Sequence, residues 1–262
     1  ESYLDDGSLA GGTLDTGRQG IRGRFDASLV MDAGLILKAR GSRLELGQGT
    51  QFLAEGTQQN PIVLTSAFDD RHGIGGTVDT NNSSPGADES DPIVANRGDW
   101  AGVYAHPGAN VSFDNVSLSY AGGISLLEGG FGAGFAPLEL HQAEARITNS
   151  IFEFNDDGFA DNNQNGLNDE GIAGAGPEGR FGRLSFAPST IFIRGSQPVI
   201  VGNYFIDNRG STIDINIESM TADLRRDGGR QTGFIDRLTS LDDNVGPLVR
   251  DNQFFNVAST VE

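Results

Sequence analysis

The sequence predicts an all-β fold, a solenoid whose short strands wind rung over rung around one apolar column. Three observations predict it. Through 97–123 (RGDWAGVYAHPGANVSFDNVSLSYAGG) the residues Val103, Val111, Phe113, Val116, Leu118 and Tyr120 alternate with polar ones and are broken by Gly, Pro or Asn, the pattern of brief half-buried strands. These pieces lie too close together for helices and lack the Asn-Gly or Asp-Gly turns of hairpins. Finally, a degenerate repeat sets Asn on both sides of an aromatic-aliphatic strand: Asn149-Ser-Ile-Phe-Glu-Phe-Asn155, Asn203-Tyr-Phe-Ile-Asp-Asn208 and Asn252-Gln-Phe-Phe-Asn256, with Asp114-Asn115-Val-Ser-Leu-Ser-Tyr120 a weaker copy. Asn tolerates the left-handed backbone of a tight bend, and its side chain can bond the equivalent Asn one coil away.

In chain order, residues 1–27 are polar and glycine-rich with Leu4, Leu9, Leu14 and Ile21 as isolated anchors. They read as a lead-in that caps the first coil. The solenoid domain occupies 28–262. Its first strands start near Leu29, Leu35, Leu44, Phe52 and Ile62, with turns at Gly34, Gly41, Gly47–Gly49 and Gly56. Three such strands per coil give roughly 20–27 residues, within the repeat range of solenoids. The beat is interrupted at about 67–98, 156–188 and 221–246, three long insertions. It continues in 145–155, 190–208, 211–218 and 247–256.

Composition agrees. With 38 Gly but only 9 Pro in 262 residues, turn-rich β structure is favoured and collagen excluded. The 36 acidic and 18 basic residues give a net charge of −18. Such a field repels nucleic acid and anionic lipid and attracts divalent cations and basic partners. No stretch has the roughly 20 apolar residues of a membrane span, and there is no Cys, so disulfides and Cys-ligated zinc are excluded. The chain starts at Glu1 with no basic-then-apolar leader, which reads as a processed secreted protein or a domain of something longer.

Four stretches carry a resemblance to a known family: GSRLELGQGTQFLAEGTQQNPIVLTS (41–66), GDWAGVY (98–104), FDNVSLSYAGG (113–123) and TIFIRGSQPVIVGNYFIDN (190–208). They resemble the right-handed parallel β-helix of the pectin-lyase-like superfamily, above all the domains found in large secreted bacterial surface proteins. The resemblance implies that fold and an extracellular or cell-surface setting. It does not fix an activity, because such domains serve as enzymes, adhesins and spacers. Trp100, within GDWAGVY, reads as a packing residue that restarts the coil.

The strongest chemical pattern is NDDGFADNNQNGLNDE (155–170). Asp161, Asn163, Asn165 and Asp169 stand at the first, third, fifth and ninth positions of a loop with Gly166 at the sharp turn, the oxygen spacing of a calcium site. Asp157 opens a tandem copy, similar to thrombospondin type-3 calcium loops. The twelfth position is Ile172 rather than Glu and no helical periodicity flanks the loop, which argues against an EF-hand; a solvated Asn/Asp/Gly loop is the alternative. Asp79 and Asn81, among the acidic residues of the first insertion, repeat the theme more loosely. Ca²⁺ is thus the expected cofactor.

For cleavage of a polysaccharide, hydrolysis needs converging carboxylates and β-elimination needs a cation with a base. Asp207, Arg209, Asp214 and Arg194, on neighbouring coils, are the candidates, but no hydrolase motif surrounds them. His72, His106 and His141 are scattered in sequence, and Arg97-Gly98-Asp99 is a three-residue match to an adhesion tripeptide that carries little. The expected function is a non-catalytic extracellular module, calcium-stabilised, for spacing, adhesion, or binding an extracellular glycan or surface protein, and able to self-associate end to end. A polysaccharide lyase or glycoside hydrolase is the alternative.

Overall fold

The computed structural model describes residues 27–69, 71–73, 95–127, 132–158, 180, 185–216, 219, 246–257 and 259–261. Their strands fall into six rungs. The first is β1 (Ser28–Met31), β2 (Ile36–Ala39) and β3 (Arg43–Leu46); the second is β4 (Gln51–Glu55), β5 (Ile62–Ser66) and β6 (Gly102–Ala105). The third runs β7 (Asn110–Asp114), β8 (Val116–Ser119), then an antiparallel hairpin of β9 (Ile124–Leu126) and β10 (Gly132–Gly134) that leaves the rung, then β11 (Leu138–His141). The fourth is β12 (Glu144–Thr148), β13 (Ile151–Glu153) and β14 (Ser189–Arg194), and the fifth β15 (Val199–Val201), β16 (Tyr204–Ile206) and β17 (Ser211–Ile215). The sixth is β18 (Leu248–Arg250), β19 (Gln253–Phe255) and β20 (Ser259–Val261).

First, second and third strands of successive rungs stack into sheets I, II and III, each parallel throughout. The chain is therefore a parallel β-solenoid, and none of its described residues forms an α-helix.

Register follows from which residues face inward. Because strand side chains alternate, a one-residue slip would turn every inward residue out. Sheet I points Ala54, Phe113, Ile147, Ile200 and Val249 inward in one column. Sheet II contributes Leu37, Leu64, Leu118, Phe152, Phe205 and Phe254. Sheet III adds Leu44, Val103, Leu138, Ile191 and Ile213. Phe152, Phe205 and Phe254 stack ring on ring at 5.1 and 5.4 Å. Trp100 is fully buried and donates its indole N–H to the Ser119 carbonyl at 2.9 Å, the packing role expected of it.

The corners separate two roles that the sequence reading gives to one Asn. At the bends after β7, β12, β15, β16 and β18 a left-handed residue is followed by one that turns inward. Asn149, Asp207, Asp251 and Asn115 have φ of 50–56°. The residues after Asn149, Asp207 and Asp251 (Ser150, Asn208, Asn252) carry the ladder bonds, as does Asn203 after left-handed Gly202. Asn208 Oδ1 accepts the Asn155 backbone N–H at 3.0 Å and its side-chain N–H at 2.9 Å, while Asn208 Nδ2 donates to the Phe152 carbonyl. Buried backbone groups at a corner have no strand partner, and the ladder supplies one. Asn256 is left-handed but ends the series.

Two further differences have simple causes. The alternation predicts no hairpin, yet β9–β10 is one; β10 is Gly-Ala-Gly and has no alternation to read. Strands β11 and β20 lie outside the predicted coil segments. Where the interruptions were expected, β5 ends at Ser66 before β6 begins at Gly102, β13 ends at Glu153 before β14 begins at Ser189, and β17 ends at Ile215 before β18 begins at Leu248. None of the described helices or strands makes a helix long and apolar enough to cross a membrane.

Candidate functional site

At the corner between sheets II and III, the left-handed position is Tyr120 on the third rung and Phe154 on the fourth, at φ 57° and 55°. Asn, Asp or Gly takes most other left-handed corner positions, Gln142 being the further exception. A bulky residue there costs about 1 kcal/mol that Asn or Gly would largely avoid. Strained side chains of this kind concentrate at binding sites. The two rings stack at 5.7 Å with 22° between planes. Arg71 lies over both, 5.1 Å from Tyr120 and 5.3 Å from Phe154, and is itself held by Asp69 at 2.9 Å and Glu153 at 2.7 Å.

Beside the rings opens a cavity of about 330 Å³ lined by Asn96, Arg97, Tyr120, Phe154, Asp156 and Arg209. Three chain segments meet here because glycine lets them. A Cβ on Gly122 would strike the Asp156 backbone, and one on Gly123 the Gly98 backbone. The Arg97 guanidinium donates to the carbonyls of Asn155 and Asp207 and pairs with no carboxylate among the described residues. Burial, and then the Arg209 cation, push its pKa down. Arg209 reaches Asp156 at 3.4 Å. The Asp156 carboxyl is pushed up to about 6, first by burial and then by the Asp157 carboxylate.

A second cluster lies on the outer face of sheet III. In register across its strands stand Glu45, Tyr104, Glu139, Phe192 and Asp214. Glu139 is fully buried under a roof built by the residues after β10 and by Arg180. Arg180 grips it bidentately at 2.7 and 2.8 Å, and the guanidinium sits over Phe135, Phe186 and Tyr104. Glu139 also accepts the Ala136 N–H at 2.9 Å and meets His141 Nε2 at 2.8 Å. Burial alone would raise its pKa, but the Arg180 cation, with the bonds from Arg180 and His141, holds it at about 2. His141 goes the other way: burial pushes it below its usual value. Neutral His141 therefore donates through Nε2, and its Nδ1 has no partner among the described residues. Two histidines scattered in sequence thus gather on Tyr104, His106 at 4.7 Å and His141 at 4.8 Å between ring centres.

Of the catalytic candidates, Asp207 and Arg209 share the sheet II–III corner. Asp207 is the left-handed residue itself, its carboxylate taking an N–H from Asn256. Asp214 lies within β17, opposite Phe192, and Arg194 ends β14, bonding Ser185 Oγ at 3.2 Å and lying over Phe192. A strand of six residues spans about 20 Å, so the structure brings Asp207 to Arg209 but leaves Arg194 at the other end of the sheet. Of the metal candidates, Asp157 packs its carboxylate toward Gly210 beside the corner pocket. Asp161, Asn163, Asn165, Asp169, Asp79 and Asn81 lie outside the described residues. Among the described residues no three His, Asp or Glu side chains are grouped to hold a metal. Asp99 accepts from Ser66 Oγ at 2.5 Å and from the Asn96 N–H, which folds the Arg-Gly-Asp tripeptide onto the protein.

Sequence reasoning gives no site role to Tyr120, Phe154, Asp156, Glu139 or Arg180, and reads Arg97 only as part of the Arg-Gly-Asp tripeptide. For Phe154 a signal existed: in the Asn-flanked repeat it precedes Asn155 where Asp207 precedes Asn208. For Arg180 there was none, since only the fold sets it against Glu139. Compared with known proteins, the chain matches no family model, no curated protein and no solved structure.

Proposed function

We propose that this chain is a right-handed, pectin-lyase-like β-helix serving as a non-catalytic extracellular or cell-surface module. Its corner pocket binds a glycan, and its long insertions decorate a rigid spacer. The observation that carries the reading is the stacked Tyr120–Phe154 pair, held in left-handed backbone at the rim of a cavity with Arg97 and Arg209. Flat rings beside fixed donors suit a sugar, whose apolar face stacks while its hydroxyls bond. Calcium held by Asp161, Asn163, Asn165 and Asp169 stabilises the second insertion, and end-to-end stacking of rods remains part of the proposal.

The test is binding to an immobilised glycan panel, followed by titration calorimetry of the best ligands. Tyr120→Asn with Phe154→Asn, residues that tolerate the left-handed backbone, should abolish binding while the melting temperature holds or rises. Retained affinity in that double variant removes the pocket from the account. Calcium is tested separately: Asp161→Ala or Asp169→Ala should lower the melting temperature in calcium and leave it unchanged in chelator. The cleavage alternative draws on Asp207 and Arg209 at the same corner, and a screen for new reducing or unsaturated ends on uronate and sulfated polysaccharides would reveal it.

A further inference from the structure

The first rung leaves an edge on every sheet. β1, β2 and β3 each end the strand order of their sheet, so on the side away from the second rung they have no strand partner among the described residues. Folded proteins cover or blunt such edges. The side chains point the same way. Leu37 and Leu44 are only partly buried, while Leu64 and Val103, their partners one rung on, are buried. Residues 1–26 lie outside the described residues, and their sequence carries a register for this edge.

Ser28 of β1 pairs with Gln51, 23 residues further on. Carried back from the first rung, that offset lays 13–16 (Thr-Leu-Asp-Thr) on β2 and 20–23 (Gly-Ile-Arg-Gly) on β3. Leu14 then falls on Leu37 and Ile21 on Leu44, both in inward columns, and each pair has the same spacing along the chain. On the outward face Asp15 falls opposite Lys38, and Arg22 opposite Glu45. Opposite charges across neighbouring strands are favourable and like charges are not. Lys38 already donates to the Asp69 carbonyl, and Glu45 already meets Arg43 and His106, so these pairs extend existing charge networks. Gly11 falls on Gly34, whose φ of 85° favours glycine. A slip of one residue would turn Asp15 and Arg22 into the apolar column. The same register sets no apolar residue on β1, whose edge is left out.

We propose that the first-rung edge of sheets II and III is the docking surface for this chain's own residues 13–16 and 20–23, which pair in parallel with β2 and β3 as a partial rung. Covalent attachment to β1 gives this segment a high effective concentration at the edge, an advantage no separate chain has. The proposal is independent of the glycan reading. It bears on end-to-end stacking, because a second copy can take this edge only by displacing the lead-in.

The experiment is disulfide trapping in the full chain, which has no Cys of its own. Facing residues on neighbouring strands lie about 4.8 Å apart, within the span a disulfide bridges. The double variants Asp15→Cys/Lys38→Cys and Arg22→Cys/Glu45→Cys should each close a bond within one chain on mild oxidation. The mismatched variant Asp15→Cys/Glu45→Cys, which joins different sheets, should stay reduced. Hydrogen exchange on the unaltered protein gives a second measurement that no variant can spoil. Alternate amides of 13–16 and 20–23 should exchange at least about tenfold more slowly than an unstructured chain, equivalent to about 1.4 kcal/mol. Ile21→Asp should remove that protection over 20–23. Bonds formed only between chains would give the edge to a second copy and overturn the proposal. Equal closure of matched and mismatched pairs, or exchange at the unstructured rate, would overturn it as well.

Discussion

Replacing Arg180 by Met tests the roofed cluster on sheet III. The substitution keeps the apolar stem against Phe135 and Phe186 but removes the guanidinium that grips Glu139 at 2.7 and 2.8 Å. The magnitude follows from Glu139. A carboxyl held at about 2 rather than its ordinary 4.5 represents about 3 kcal/mol of favourable interaction in the ionised state. Independently, breaking a buried ion pair by removing one partner costs about 3–5 kcal/mol. Both routes give a loss of about 3 kcal/mol for Arg180→Met. The double variant Glu139→Gln/Arg180→Met leaves no buried charge and should regain most of that loss.

The pH dependence follows from the same pair. Glu139 is depressed on folding, so its contribution is complete above about 4.5 and disappears as pH falls toward 2. The assay is urea unfolding followed by the fluorescence of the single, buried Trp100. A loss below about 1 kcal/mol for Arg180→Met, or a double variant no better than the single one, would refute this reasoning.

Other substitutions probe the column and its corners. Phe205→Ala empties the middle of the stacked Phe152–Phe205–Phe254 series and should cost about 3–5 kcal/mol, measured by the same urea titration. Asn208→Ala strips the partners of the Asn155 backbone and side-chain N–H groups and of the Phe152 carbonyl. With unsatisfied buried groups at about 1–3 kcal/mol each, a loss of at least 2 kcal/mol is expected. Asn252→Ala, nearer the last rung and partly exposed, should cost less. Tyr120→Asn relieves left-handed strain at φ 57° and should raise stability by up to about 1 kcal/mol while ending glycan binding. A variant both less stable and equally binding would contradict the role given to that ring.

Strand positions were legible because the fold repeats one local physical demand. Ile62-Val63-Leu64, for example, must alternate inward and outward on any rung, and it reads as a strand before any partner is known. The Asn-flanked repeat was equally visible, but its chemistry was merged. Nothing in the sequence says that Asp207 bends the backbone while Asn208 enters the ladder. The corner pocket was legible only in part, since Arg209 stood out whereas Arg97, Phe154 and Asp156 acquire meaning when rungs stack. Glu139, Arg180 and His141 were opaque for the same reason: they are distant in sequence, and the outer face of sheet III joins them through the roof.

The account rests on rungs stacked in parallel register, and a ladder of spin-label distances tests that directly. Along sheet II, Ile36, Val63, Ser117, Ile151, Tyr204 and Gln253 occupy one column. The chain has no Cys, so single-Cys pairs can be labelled cleanly at the exposed positions Ile36, Ile151 and Gln253. With strands about 4.8 Å apart, pulsed dipolar spectroscopy should give backbone separations of about 14 Å for 36/151 and about 24 Å for 36/253, growing by one strand spacing per rung. Distances that do not grow with rung number would contradict the solenoid, and with it every site described on its corners.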